Sequence, residues 1–258
     1  MNFDHLLHDL SVGLRGRSRL VRLEPDRPTV FVGDTHGDRE ATERVLAQFP
    51  VPKHTIVFLG DVVDRGPDSL GNLELVLSQV ITHPKSVHLL MGNHEAWSVA
   101  SFSPADFWEG LAPGDAAKLS DALSHLPLAA WHPGGVVAVH GALPDVPSLD
   151  AVDSVELGSE AWRAITWGDW EDAQGGGLPS AGWGRPLFGR ADFERRIGQL
   201  DARVLVRSHQ PFAPKLLFND RCLTLFTSCA YGDGPRRVAI LSPDRPIETA
   251  RDLDLVEI

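Results

Sequence analysis

Nine polar side chains carry the chemistry open to this sequence: Asp34, His36, Asp61, Asp64, Arg65, Asn93, His94, His140 and His209. They fall in five short blocks: GDTHGD from Gly33, GDVVDRG from Gly60, GNHE from Gly92, His140-Gly141, and Arg207-Ser208-His209. Imidazole, carboxylate and amide ligands without thiolate suit manganese, iron or zinc, rather than calcium or an iron–sulfur cluster. Asp34, His36 and Asp61 can ligate one ion; Asp61, Asn93, His140 and His209 can ligate another, which makes Asp61 the expected bridge. Two ions roughly 3.5–4 Å apart can share a hydroxide at neutral pH and clamp both oxygens of an in-line displacement at phosphorus. The leaving oxygen then needs a proton. His94 is the candidate acid, with Asp64 holding its imidazole in the donating form. Arg65 can grip the non-bridging phosphate oxygens.

Each block closes a short apolar run, at residues 30–32, 55–59, 87–91, 136–139 and 204–206. Such runs read as strands buried on both faces. Residues 39–49 and Ser69–Thr82 place apolar side chains at helical spacing, with Asp38 and Ser69 as the expected N-caps. Strand, helix, strand, helix, strand is a βαβ pattern, with its ligands at the carboxyl ends of the strands. Residues 3–12, 115–123 and 192–200 also read as helices. Residues 216–218, 222–227 and 238–241 read as strands in hairpin or meander order, with a turn at Asn219-Asp220. Gly175, Gly176 and Gly177 suggest a loop tip, and no element is predicted after Pro246. The expectation is one α/β domain over residues 1–258, with its core at about 28–242.

The net charge of −11 argues against a nucleic-acid-coating protein, whose affinity would come from Lys and Arg on phosphates. A phosphorylated substrate must therefore be met by local positive charge. No apolar run approaches a membrane span, and residues 2–5 do not open a signal peptide, so a cytoplasmic protein without a membrane partner is expected. Cys222 and Cys229 make neither a disulfide framework nor a metal knuckle and read as buried free thiols.

In order, these blocks resemble the signature segments of the PPP-type serine/threonine phosphoprotein phosphatases, within the calcineurin-like metallophosphoesterases. VHGALPD is similar to their histidine-glycine block and Trp167-Gly168-Asp169 to their Trp-x-Asp segment. Gly184-Arg185 with Phe188-Gly189 resembles their second phosphate-arginine region, RSHQ their last histidine block, and TLFTSCAYG their substrate loop. The resemblance runs from about residue 28 to about residue 242. It implies a two-sheet β-sandwich flanked by helices, with two metals at the strand ends. It also implies Asp64 and His94 as the acid pair, Arg65 and Arg185 as phosphate ligands, and Tyr231 beside the cleft. Two departures stand out: Met91 precedes GNHE where the family often has arginine, and the substrate loop reads SCAYG.

Taken singly, His140 or His209 is more often a structural histidine; as members of a six-ligand set they read as metal ligands. His5, His8, His54, His83, His88, His125 and His132 read as surface or packing residues, and the basic strip Arg15, Arg17, Arg19 and Arg22 as a solvated edge. Arg207 suggests packing or charge behind a ligand; Trp162, Trp167, Trp170 and Trp183 suggest core, with one free to wall the cleft. The acids of residues 145–172 suggest a solvated rim that disfavours acidic phosphopeptides. The expected function is a dinuclear metal-dependent serine/threonine protein phosphatase, manganese being favoured over iron or zinc, acting through a metal-bridging hydroxide. The rivals are a diadenosine polyphosphate hydrolase or other small-phosphoester hydrolase on the same site, and a catalytically silent metal-binding scaffold. Oligomeric state and regulators are not written in the sequence.

Overall fold

A computed structural model of the chain describes residues 3–172, 184–232, 234–243 and 245–258. Gly175, Gly176, Gly177 and Trp183 lie outside the described residues. The chain opens with α1 (Phe3–Leu14) and β1 (Leu20–Arg22), then runs β2 (Thr29–Val32), α2 (Arg39–Gln48), β3 (Thr55–Phe58), α3 (Ser69–Thr82) and β4 (Val87–Leu89). The short α4 (Asp106–Glu109) and α5 (Pro113–Leu123) lead to β5 (Ala129–His132) and β6 (Val136–Val139). Next come α6 (Glu160–Trp167), β7 (Asp169–Trp170), β8 (Leu187–Phe188), α7 (Arg190–Gln199), β9 (Val204–Arg207), β10 (Leu216–Leu217) and β11 (Cys222–Thr224). Strands β12 (Arg237–Leu241) and β13 (Asp254–Glu257) close the chain.

Two mixed sheets carry the site, in the orders β13-β12-β2-β3-β4 and β1-β5-β6-β9-β11-β10. Within the first, β2, β3 and β4 are parallel, the βαβ unit expected from the apolar runs and the helices between them. In the second, β6, β9 and β11 are parallel. Alternation along these strands splits their side chains between two layers. Phe31 and Val57 from one sheet pack with Ala138, Val204, Val206 and Leu223 from the other. Val30, Val32, Ile56 and Phe58 face the other way, into the cluster that takes Val45 of α2 and Leu73, Val76 and Leu77 of α3. The expected sandwich flanked by helices is therefore present, with an apolar layer between its sheets.

Several expectations need correction. The strands at 222–227 and 238–241 do not form a meander. β11 pairs antiparallel with β10, but β12 crosses to the other sheet and pairs antiparallel with β2. β11 also ends at Thr224, because Phe226 leaves the sheet to bridge Asp34. Cys222 is buried on that strand, whereas Cys229 lies beyond it in the loop and is exposed. Asp68, not Ser69, caps α3, accepting from Gly71 N; the Ser69 hydroxyl instead accepts from Asp64 N. Asp38 caps α2 as expected, accepting from Ala41 N. The last residues form β13 on the edge of a sheet, largely exposed, where no element is expected from sequence.

Candidate metal centre and cleft

The site forms where the parallel strands of both sheets end. β2 delivers Asp34 and His36, β3 delivers Asp61, Asp64 and Arg65, β4 delivers Asn93 and His94, β6 delivers His140, and β9 delivers His209. Asp34 is tied to the second sheet as well: its N donates to Ser208 Oγ, and its carboxylate accepts from His209 N at 3.2 Å. Backbone conformation aims these side chains. His36, Asp61, Asp64, Arg65 and His209 all have left-handed φ, between 43° and 73°. Non-glycine residues adopt that region at a cost of about 1 kcal/mol or more, so its concentration at one site marks positions over-determined by their surroundings. Gly92 is demanded by close approach, since a Cβ there would collide with Asp61 Oδ1.

Two histidines have their tautomers set by backbone carbonyls. His140 Nδ1 donates to Leu59 O at 2.9 Å, and His36 Nδ1 donates to Val63 O at 2.9 Å. Their Nε2 atoms therefore carry lone pairs. The His140 lone pair faces other lone-pair atoms: His209 Nδ1 at 3.0 Å, Asn93 Oδ1 at 3.2 Å and Asp61 Oδ2 at 3.3 Å. His36 Nε2 likewise faces Asp34 Oδ2 at 3.7 Å and Asp61 Oδ2 at 3.8 Å. Acceptors converging on acceptors repel one another unless a cation or proton sits between them. Two groups of such atoms, His36–Asp61–His94 and Asp61–His140–His209, each gather within 4.8 Å and share Asp61. Asp34 and Asn93 stand beside them. The donor set thus fits hard or borderline divalent cations, as its chemistry predicts.

Burial gives the same indication. It pushes Asp34 up to about 8, with the Asp61 charge adding to the rise. It pushes Asp61 up to about 8, helped by Asp64. Desolvation holds His36, His94 and His209 well below the usual imidazole range. Neutral imidazoles around reluctant carboxylates are the state from which a cation is bound.

His94 stands apart from the other histidines. Its Nδ1 donates to Asp64 Oδ2 at 2.6 Å, while Asp64 Oδ1 accepts from Phe107 N at 2.7 Å. Asp64 is raised to about 6, mainly by burial, and so remains ionised at neutral pH. The His94 Nε2 atom points toward Asp61 Oδ2 at 3.8 Å. His94 can thus be counted geometrically with the ligand atoms, but the Asp64 contact distinguishes it.

The cleft above these residues encloses about 940 Å³. Arg65, Arg185 and Tyr231 line it, as the resemblance implied. Arg65 Nη1 donates to Pro104 O at 2.6 Å. Arg185 lies against His209 Nε2 and 3.1 Å from Asp169 Oδ1. Tyr231 packs on His36, with ring centroids 5.4 Å apart. Trp167 is the tryptophan that walls the cleft; Trp162 and Trp170 are buried. Arg190, five residues after Arg185, pairs with Asp172.

Two buried polar residues were missed from sequence. Glu95 accepts from Asp61 N at 2.7 Å, Val62 N at 2.9 Å and Gly92 N at 2.9 Å, so one carboxylate fastens the ends of β3 and β4 together. Its place in GNHE was a usable signal. Asn72, in mid-helix, donates to Val62 O and Thr35 Oγ1 and accepts from Thr42 Oγ1, and no local pattern marks it. Asp169, the acid of the Trp-x-Asp segment, is not part of a solvated rim but buried beside Arg185. Three other acids of that stretch are paired: Asp145 with Arg195, Asp150 with Arg22 and Asp172 with Arg190.

A sandwich of mixed sheets with histidine, carboxylate and amide groups at the strand ends defines a metallophosphoesterase-type architecture. The family model for calcineurin-like phosphoesterases matches residues 27–212, and the chain belongs to that family. Membership brings divalent metal ions with it. The serine/threonine-protein phosphatase 4 catalytic subunit of Eremothecium gossypii is 26% identical over 203 residues, which are 72% of this chain and 63% of that one. The chain thus covers under two thirds of this relative's length. A protein serine/threonine phosphatase from Saccharomyces cerevisiae with similarity to human phosphatase PP5 superposes with a TM-score of 0.83 at 22% identity. That match covers 99% of this chain and 89% of the yeast chain. A solved structure named as a candidate diadenosine tetraphosphatase gives a TM-score of 0.51 at 19% identity, over 93% of this chain and 98% of the other. The resemblance to the PPP-type branch is thus borne out, and the fold is its fold.

Proposed function

We propose that the chain is a two-metal serine/threonine protein phosphatase, with manganese the favoured ion. The observation that carries this reading is the His94–Asp64 contact of 2.6 Å beside two convergent ligand groups that share Asp61. Asp34, His36 and Asp61 would hold one ion, and Asp61, Asn93, His140 and His209 the other. When bound, such ions activate water and neutralise phosphate charge at neutral pH.

The remaining steps fall to the chain itself. Arg65 and Arg185 bind the non-bridging phosphate oxygens and offset the charge that gathers there. Asp64 holds the proton of His94 Nδ1, which leaves Nε2 as the atom that takes up a proton and delivers it to the leaving serine or threonine oxygen. Asp64 stabilises the imidazolium in between. Phe102, Trp167 and Tyr231 line the cleft beside the site. An acid held in place matters most for a poor leaving group such as an alkoxide, and that need favours phosphoserine and phosphothreonine.

The rival on the same site is hydrolysis of diadenosine polyphosphates. Asp64, which such hydrolases generally lack at the DRG block, supports the protein phosphatase. A rate comparison on phosphoserine peptides and diadenosine tetraphosphate at matched Mn²⁺ tests the choice. Higher kcat/KM on the peptides is expected; a clear advantage for the dinucleotide would overturn the substrate reading while leaving the metal centre in place.

A further inference from the structure

The distribution of arginines in this acidic chain is uneven. Asp and Glu total 35 against 24 Lys and Arg, so a guanidinium without a carboxylate partner is not explained by a shortage of acids. Most arginines are paired, as Arg190 is with Asp172 and Arg236 with Asp38. Among the described residues, the guanidinium groups of Arg17, Arg19, Arg65, Arg163 and Arg207 have no carboxylate within 4.0 Å. Arg17 and Arg19 belong to the segment leading to edge strand β1, and Arg207 is fully buried. Only Arg65 and Arg163 face the cleft.

Arg65 already has a place in the proposed chemistry; Arg163 does not. It stands four residues before Trp167 on α6, so the two side chains share one face and line one wall. Its Nη2 donates to Gly184 O at 2.9 Å, immediately before Arg185. That bond fixes the guanidinium beside the residue that precedes Arg185, and its other N–H groups have no partner among the described residues. The cleft wall offers nothing to neutralise it: among the described lining residues, Asp61 is the sole carboxylate, and it is a metal-ligand candidate.

We propose that Arg163 is a second anion-binding position of the cleft, selecting phosphopeptides that carry an acidic side chain near the phosphorylated residue. This rests on the protein phosphatase reading and reverses the expectation that acidic phosphopeptides are disfavoured. Of the acids behind that expectation, Asp145, Asp150 and Asp172 pair with other arginines and Asp169 holds Arg185, and no acid of the stretch lines the cleft among the described residues. A planar guanidinium with free N–H groups suits a carboxylate, which it can bind through two parallel hydrogen bonds. A merely structural Arg163, clamping Gly184 and through it Arg185, would affect all phosphopeptides alike. The two roles are therefore separable.

The experiment uses phosphoserine peptides matched except for flanking glutamates or alanines, compared by kcat/KM in the Mn²⁺-loaded full chain and in Arg163→Ala and Arg163→Lys. The intact protein is expected to prefer the acidic peptide about two- to fivefold, the range of an exposed ion pair. Arg163→Ala should bring that ratio to near one, and Arg163→Lys should leave it in between. Because the ratio is taken within each enzyme, a general loss from disturbing Arg185 cancels. A ratio near one in the intact protein, or a preference unchanged in Arg163→Ala, overturns the proposal while the phosphatase reading stands. Absence of turnover on every peptide, with diadenosine tetraphosphate cleaved, removes the phosphatase reading and this proposal together.

Discussion

His94 Nδ1 and Asp64 Oδ2 lie 2.6 Å apart although thirty residues separate them, while Arg65, Asp64's neighbour in sequence, turns to Pro104 O instead. The left-handed φ of 65° at Asp64 and the bond from Phe107 N to its other oxygen hold that carboxylate toward the imidazole. A histidine gripped in this way has one nitrogen assigned and the other available. In a cleft lined by Arg65 and Arg185, that free nitrogen is where proton transfer to a leaving group would occur.

Asp64→Asn tests that assignment. Turnover of a phosphoserine peptide should fall about a hundredfold or more, the usual scale for a positioned acid. p-Nitrophenyl phosphate, whose leaving group needs less help, should lose less. Metal content measured on the same samples should not change. Equal losses on both substrates would contradict a role for the pair in protonation.

Glu95 offers a different test because it touches no expected substrate atom. Its carboxylate collects the N–H groups of Asp61, Val62 and Gly92. Glu95→Gln replaces one of its two acceptor oxygens with a donor and so leaves at least one buried N–H unpaired. Mn²⁺ affinity measured by titration calorimetry should weaken about 10–100-fold, as for other groups that orient metal ligands. An unchanged affinity would mean that the β3 and β4 ends hold their ligands without it.

The metal-free protein should also respond to pH in a defined direction. Asp34 and Asp61 sit at about 8 in the folded chain, against 3.8 ordinarily, so the native state holds protons that the unfolded state has released. Stability must then fall as pH rises through that interval, most visibly between 6.5 and about 8. Below 6.5 the depressed histidines act in the opposite sense, because the unfolded chain binds their protons first. Urea unfolding of chelator-treated protein at pH 6.8 and 8 should show the loss, and saturating Mn²⁺ should remove it. A metal-free protein equally stable at both values would contradict the buried, cation-seeking carboxylates.

The ligand set was legible because a strand buried on both faces reads as an apolar run, and the first polar residue after it stands out. Asp34, Asp61, Asn93 and His140 follow that rule, and His209 stands two residues beyond Arg207; β2, β3 and β4 are neighbours in one sheet, β6 and β9 in the other. The βαβ unit was legible for the same reason: Val45, Leu73, Val76 and Leu77 keep helical spacing between the runs. Sheet membership was not. β12 resembles a continuation of β10 and β11, yet it pairs with β2, some two hundred residues away, and nothing local specifies that partner. Short edge strands such as β1 and β13 carry too few buried residues to announce themselves. Glu95 and Asn72 act through backbone groups of distant loops, so their roles exist only once the chain has folded. Asp169 was marked by its Trp-x-Asp segment, but its burial beside Arg185 was not legible among the neighbouring acids.

In the proposed enzyme Asp61 joins two cation sites into one centre. The most direct measurement is the Mn²⁺ stoichiometry of the chelator-treated chain, by elemental analysis after titration, for the intact protein and Asp61→Asn. Two ions per chain in the intact protein, with both sites weakened together in the variant, is the predicted result. A single ion per chain, or a variant that loses one ion and keeps the other at full affinity, would contradict it.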